Sequence, residues 1–302
     1  MEIQEDPLEG SPYRTMSVLG QGGMGVVVLA EHRALGKLVV VKLLHADLSS
    51  PKLVERMRVE AQTLAKLSHP NLVDVTDFGT TPGGRTYFAM EKLDGRTLAD
   101  EVRERGHVPW EEACRHVAEL LDALEVAHAA GVVHRDVKGE NVFLHRAHGR
   151  EIVKLLDFGV AKIVSEGAPI EPSRFMTEEG ALMGTPRFCS PEQAMARRHV
   201  DHRADLYGAG ALLFLLVTGR RPFEHKNIVE LLQAHATEQP PRPSEVAPQG
   251  IPASVEAVIL RALEKDPADR FQSAKEMAEE LRRAMNPRAS AQIGRASCRE
   301  RV

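Results

Sequence analysis

A carboxylate, an ammonium and a carboxamide fall within six residues in the run Val133-His134-Arg135-Asp136-Val137-Lys138-Gly139-Glu140-Asn141-Val142-Phe143-Leu144. Asp136 can accept or orient the proton of an attacking hydroxyl, Lys138 can offset negative charge on a group in transfer, and Asn141 offers an oxygen to a metal ion. Sixteen residues beyond Asn141, the run Leu155-Leu156-Asp157-Phe158-Gly159 supplies a second oxygen ligand, of the hard kind that suits Mg2+.

Upstream, Leu19-Gly20-Gln21-Gly22-Gly23-Met24-Gly25-Val26-Val27 has the spacing G-x-G-x-x-G, and glycines let backbone N–H groups approach phosphates with no Cβ in the way. Alone it also fits a glycine-rich hairpin turn. The residues after Gly25 read as a strand, whereas a dinucleotide-binding turn needs a helix there. Lys42 sits in the apolar run Val39-Val40-Val41-Lys42-Leu43-Leu44, where a strand lysine reaches away from the core its neighbours fill and can neutralise phosphate oxygens. The plainer alternative is a lysine snorkelling at a strand edge. Glu60 shares a helical face with Leu64 and Leu67, so an inward Glu60 needs a cation, and Lys42 is the candidate; otherwise Glu60 is a surface charge. Each fragment is ambiguous alone, but their order points to phosphoryl transfer.

The elements that must position these groups divide in two. From Tyr13 to about Met90, short β-type runs alternate with turns, interrupted by a helix at about Pro51 to Leu67. From Thr97 onward, amphipathic helices are expected at Leu98–Arg105, Trp110–Ala130, Ala204–Thr218, Asn227–Thr237, Ser254–Leu263 and Ser273–Met285, with a proline-rich loop from Pro240 to Pro252. Lys92-Leu93-Asp94-Gly95 joins the halves.

A chain of 302 residues with 43% hydrophobic content can bury a core. Its net charge of −4 offers no broad basic face for nucleic acid and no polybasic membrane anchor. Cys114, Cys189 and Cys298 form no disulfide framework and no CxxC pair, which fits a reducing cytoplasm. The N-terminal MEIQEDPLEG lacks the features of a signal peptide, and Ala209 to Val217 is about half of the ~20 residues that span a bilayer, so no membrane segment is expected within the chain. Residues 286–302 are expected to form a disordered tail. The stretch from Ile293 on resembles the in-frame translation of a sequencing adapter, so it is expected to be non-native and the gene to continue.

From Tyr13 to Met285 this motif set resembles the protein kinases, specifically the bacterial Hanks-type serine/threonine kinases. The resemblance implies an α+β bilobal fold: a small, mostly β lobe with one helix (13–93) and a larger, mostly helical lobe (94–285). It implies ATP with Mg2+, or Mn2+, and serine or threonine hydroxyls of proteins as acceptors. Gly20, Gln21, Gly22, Gly23, Met24 and Gly25 would cover the phosphates, Leu19 would belong to the same nucleotide site, and Lys42, paired with Glu60, would contact the α- and β-phosphates. Val27, Val40 and Leu144 would enclose adenine, Met90 would be the gatekeeper and Glu91 to Leu93 the hinge. Asp136 would be the catalytic carboxylate, with Asn141 and Asp157 holding the metal. His134, Arg135, Phe158 and Gly159 would frame them.

Further along, the segment Met183 to Gln193 resembles the close of an activation loop, with Glu192 paired to Arg270 and Asp205 anchoring the catalytic loop; Lys138 with Thr185 is the serine/threonine pairing. Thr177 is the expected site of autophosphorylation. Departures from the family pattern are Val40 for alanine, Gly139 for proline, and Phe188 and Cys189 for tyrosine and methionine. Val40 would tighten the nucleotide pocket, and Cys189 reads as a packing residue more readily than as a redox-sensitive thiol. A pseudokinase scaffold would lack Lys42, Asp136 or Asp157, and all three are present; a small-molecule phosphotransferase of related fold would lack a segment like Gly184 to Glu192. By resemblance alone, the small lobe would support a homodimer, and the chain would be cytoplasmic or the cytoplasmic part of a truncated membrane-anchored kinase.

Overall fold

The computed structural model describes residues 6–22, 25–45, 51–147, 149–157 and 186–286, without the side chains of residues 51–53, 56 and 60. The expected tail from residue 287 therefore lies outside the described residues. Two compact units emerge, divided at Asp94 and Gly95, with residues 146, 147 and 149 belonging to the first.

In the first unit the apolar runs form β1 (Tyr13–Gly22), β2 (Gly25–His32), β3 (Leu38–Leu44), β4 (Val75–Thr80) and β5 (Thr86–Glu91), paired antiparallel in the order β1-β2-β3-β5-β4. Alternation along β3 buries Val39, Val41 and Leu43 in one core with Tyr13, Val28, Ala30, Tyr87 and Ala89. The opposite face carries Val40, Lys42 and Leu44. Helix α1 (Pro51–Leu64) covers part of that face, packing Met57 and Ala61 against Leu44 and Phe88. The core also takes in Leu8, which is fully buried, while the Asp6 side chain accepts hydrogen bonds from the Leu8 amide and the Thr15 hydroxyl. The unit thus starts ahead of the expected boundary at Tyr13, because the sequence pattern gave no hint that one leucine in a polar stretch would be buried.

The second unit opens with a three-stranded sheet, β6 (Gly95–Thr97), β7 (Val142–Ala147) and β8 (Arg150–Leu155), which the expectation of a mostly helical half left out. Gly95 permits the β6–β7 approach: a Cβ there would lie 1.9 Å from the Leu144 carbonyl oxygen. Helices α2 (Leu98–Arg105), α3 (Trp110–Ala129), α4 (Pro191–Ala194), α5 (Arg203–Thr218), α6 (Ile228–Thr237), α7 (Pro243–Val246), α8 (Ala253–Ala262) and α9 (Ala274–Met285) follow. The short α7 lies inside the stretch expected as a loop, admitted by Pro243 in its first turn. Side-chain caps start α2, with Thr97 and Asp100 in a capping box, α6, with Asn227, and α9, with Ser273. Every residue of α5 from Ala204 to Thr218 is buried, so the other helices are built around it. Among the described residues, no helix is long and apolar enough to cross a membrane.

Two polar clusters lock this helical core. Arg270, with no exposed surface, spends all five N–H donors: on both Glu192 oxygens at 2.9 Å and on the carbonyls of Glu264, Arg203 and Lys265. Burial pushes the Glu192 carboxyl upward, but the hydrogen bonds and charge of Arg270 outweigh it and leave the group below its usual range. Beside this pair the Tyr207 hydroxyl lies 3.0 Å from Nδ1 of the fully buried His235, and Lys265 sits over the Phe223 ring while donating to the His235 carbonyl. Burial, then Lys265, pushes His235 down to about 3.

Glu192→Ala strands the buried guanidinium and should cost about 3–5 kcal/mol in denaturant unfolding. The folded His235 stays neutral down to about pH 3, whereas the unfolded chain takes up its proton near 6.5. This contribution is complete above pH 6.5 and is lost as pH falls toward 3, by about 2 kcal/mol at pH 5. Unfolding of His235→Gln measured at pH 7 and pH 5 should show a correspondingly shallower loss than wild type.

Candidate active site

The catalytic run folds as a loop between α3 and β7, closed by a single 3-10 turn at Gly139–Asn141. Its shape is set from behind by Asp205, in the first turn of α5. One Asp205 oxygen accepts the Arg135 amide at 2.6 Å; the other accepts the His134 amide at 2.8 Å and lies 2.7 Å from His128 Nε2. Arg135 has φ +63, a left-handed conformation that non-glycine residues adopt at a cost of about 1–3 kcal/mol, and with it consecutive amides converge on one carboxylate. Val137, buried two residues on, packs against Gly208 of α5, where an added Cβ would stand 2.9 Å from the Val137 Cβ.

The buried His134 ring joins the loop to the residues that follow β8 and lead to Asp157. Its Nδ1 accepts the Asp136 amide at 3.2 Å and its Nε2 lies 2.8 Å from the Leu156 carbonyl, so the ring is the tautomer with hydrogen on Nε2. The Leu156 amide donates to the Asn141 carbonyl at 2.8 Å, which brings Asp157 beside Asn141. Asp157 also has positive φ, +49.

Asp136 is gripped from two directions. Lys138 Nζ donates to its Oδ2 at 2.7 Å, and Asn141 Nδ2 donates to Oδ2 at 3.0 Å and to the Asp136 carbonyl at 2.8 Å. With 42% of its side chain exposed, Asp136 remains open to an incoming group. Because the Asn141 nitrogen faces Asp136, its carboxamide oxygen is left as a ligand. Asn141 and Asp157 are a sparse donor set suited to Mg2+, which takes few protein oxygens and completes its shell with water and phosphate. Among the described residues, no cluster of three or more His, Cys, Asp or Glu side chains could hold a metal ion.

At the start of α4 the Ser190 amide donates to Gln193 Oε1 at 2.9 Å, and Gln193 Nε2 donates to the Arg135 carbonyl at 3.0 Å. Gly139 has a tertiary cause: a Cβ there would stand 3.0 Å from the Ala99 amide nitrogen at the start of α2. Phe188 and Cys189 are half-buried.

In the first unit, Lys42 lies opposite Val27 on β2, and Val40 opposite Leu29 on β2 and Met90 on β5. Alternation along β2 and β3 therefore puts Val27, Val40 and Lys42 on one face, away from the core of Val28, Val39 and Val41. Leu19, Gly20, Gln21 and Gly22 end β1, where Gly22 pairs with Gly25 and its carbonyl lies 3.0 Å from His45 Nε2. Glu91 ends β5, Leu93 follows it half-buried, and Leu144 is buried on β7 in the other unit. Glu60 is on α1 with its side chain outside the described residues, as are Gly23, Met24, Phe158, Gly159, Thr177 and Thr185 entirely.

Sequence reasoning missed His128, Gln193 and His45. His128 stands four residues after Leu124 on the buried face of α3, and Ser190-Pro191-Glu192-Gln193 has capping-box spacing, so two of the three left a visible signal.

A family model described as protein kinase domain matches residues 13–281. Serine/threonine-protein kinase Pkn1 of Myxococcus xanthus is 42% identical over 274 residues, covering 89% of this chain and 38% of that protein. PksC of Streptomyces coelicolor, also a serine/threonine-protein kinase, is 41% identical over 288 residues, covering 91% and 49%. The chain thus spans half or less of the length of these relatives. Among solved structures, the kinase domain of Mycobacterium tuberculosis PknI superposes with a TM-score of 0.72 at 27% identity, over 93% of this chain and 99% of that one. The chain belongs to the protein kinase family, as a serine/threonine-protein kinase domain of the bacterial Hanks type.

Proposed function

We propose that this domain is catalytically competent and transfers the γ-phosphoryl group of ATP to serine or threonine hydroxyls of proteins, with Asp136 as its catalytic carboxylate. The observation that carries this reading is the double grip on Asp136 Oδ2 by Lys138 and Asn141, which among the described residues leaves Oδ1 to meet the acceptor hydroxyl. The hydroxyl oxygen forms a bond to the γ-phosphorus while the bond to the β,γ-bridging oxygen breaks, its electron pair leaving on ADP. The hydroxyl proton passes to Asp136. Lys138 offsets charge on the moving phosphoryl group from the same position that orients the carboxylate.

Asn141 and Asp157 would hold Mg2+, which when bound neutralises charge on the phosphates. In the first unit, Lys42 would bind the α- and β-phosphates, and its face-mates Val27 and Val40 would pack on the base. Thr177 is retained as the proposed autophosphorylation site.

Asp205 holds the loop backbone and meets the His128 ring rather than any reacting group, so the two aspartates should respond differently to the same change. Asp136→Asn should lower kcat on the order of 10²-fold or more with an unchanged melting temperature, read by 80 Da mass increments after incubation with Mg-ATP. A variant that retains wild-type turnover removes Asp136 from the role. Asp205→Asn presents an amide to backbone donors and should cost about 2–4 kcal/mol of stability as well as lowering kcat.

A further inference from the structure

Gln193 is buried, and both ends of its carboxamide are engaged. Oε1 accepts the Ser190 amide at 2.9 Å, and Nε2 donates to the Arg135 carbonyl at 3.0 Å. The first bond stays within the turn that starts α4, whereas the second crosses 58 positions of sequence to the catalytic loop. A carboxamide suits this place because one planar, uncharged group offers an acceptor and a donor at once. Its neighbour Glu192 is bound to Arg270 through both oxygens, so Gln193 reaches the loop from a helix already fixed in the helical core.

The carbonyl that Gln193 holds belongs to a strained residue. Arg135 has φ +63, and side chains of separate helices take its two backbone groups: Asp205 of α5 the amide, at 2.6 Å, and Gln193 of α4 the carbonyl. That carbonyl shares a peptide plane with the Asp136 amide, which donates to His134 Nδ1 at 3.2 Å. The plane leading into Asp136 is therefore gripped at its oxygen from α4 and at its nitrogen by the His134 ring. Lys138 and Asn141 hold the carboxylate at the other end of the same residue, but both belong to the loop and move with it. Gln193 refers the loop to something outside itself. Without that bond the plane can turn about the bonds that flank it, and the left-handed Arg135 supplies strain for the turn to release.

We propose that Gln193 is a positioning residue for phosphoryl transfer: it acts through the Arg135–Asp136 peptide to aim the Asp136 carboxylate at the acceptor hydroxyl, and touches no reacting group itself. The inference rests on the reading of Asp136 as the catalytic carboxylate and adds the side chain that orients it from α4.

The test is a double-mutant cycle on the full chain at saturating Mg-ATP, with phosphate transfer read on casein and on the chain itself, and with the Kd for Mg-ATP measured for each protein. Gln193→Met keeps the length of the side chain and removes both bonds. Gln193→Ala leaves room for water to meet the Ser190 amide and the Arg135 carbonyl, which covers the case in which the methionine variant does not fold. Each should lower turnover about tenfold and leave the Kd for Mg-ATP within about twofold of wild type, since neither bond touches Lys42, Asn141 or Asp157. In an Asp136→Asn background the same changes should lower the residual turnover by less than about twofold, because no carboxylate is left to aim. A merely structural role gives a different pattern: lost folded enzyme lowers turnover by the same factor whichever residue stands at 136. Equal factors in the two backgrounds therefore overturn the proposal, and so does wild-type turnover in either single variant; both results leave the kinase reading standing. An Asp136→Asn variant that turns over like wild type removes the carboxylate from its role and this inference with it. Absence of any transfer by the wild-type chain, to casein or to itself, fells the kinase reading as well.

Discussion

The buried carboxylate of Asp205 sets the shape of the candidate active site without touching any reacting group. Its two oxygens take the amides of His134 and Arg135 and meet the His128 ring, and the loop can close on them only because Arg135 adopts a left-handed backbone. Asp136, the next residue, therefore leaves the loop in a direction determined from inside the protein. A charge this deep is costly unless every lone pair is occupied, and here three donors surround it.

That arrangement depends on α5 being a fixed reference. The helix is buried along nearly its whole length, it carries Asp205 in its first turn, and Gly208 one turn on lets Val137 pack directly against it. Arg270 then ties the start of the same helix, through the Arg203 carbonyl, to Glu192 in the short helix α4. Loop, buried helix and the short helix α4 thus form a single hydrogen-bonded frame, and the His134 ring extends it to Leu156, next to Asp157. The frame explains how a half-exposed aspartate can be well oriented: its neighbours supply the order that its own surroundings do not.

Much of this was legible in the residues. The order of the glycine loop, Lys42, the Asp136 run and Asp157 was enough to point to phosphoryl transfer, because each needs a different chemistry at a set place in one reaction. The longer helices were legible by periodicity, and α5 by the apolar run that is too short for a membrane, whereas the single-turn α4 and α7 were not. What stayed hidden involves partners distant in sequence. His128 and Asp205 are separated by 77 positions and Arg270 and Glu192 by 78. The second pair could be expected only through the family resemblance, and the first left no more than a histidine on an apolar helix face. Gly139 looked like a departure from pattern. Its cause is the Ala99 backbone, which no local reading of the catalytic run contains.

The hydrogen bond from Gln193 to the Arg135 carbonyl gives the frame a mechanical property. The peptide plane it holds is the one whose nitrogen belongs to Asp136, so pulling on that carbonyl rotates the amide that His134 accepts. Force applied to α4 is thus delivered as torque on the backbone of the catalytic aspartate through a linkage of one side chain. The Gln193 carboxamide is thus the direct link from α4 to that peptide plane, while Arg270 holds the same short helix to the start of α5.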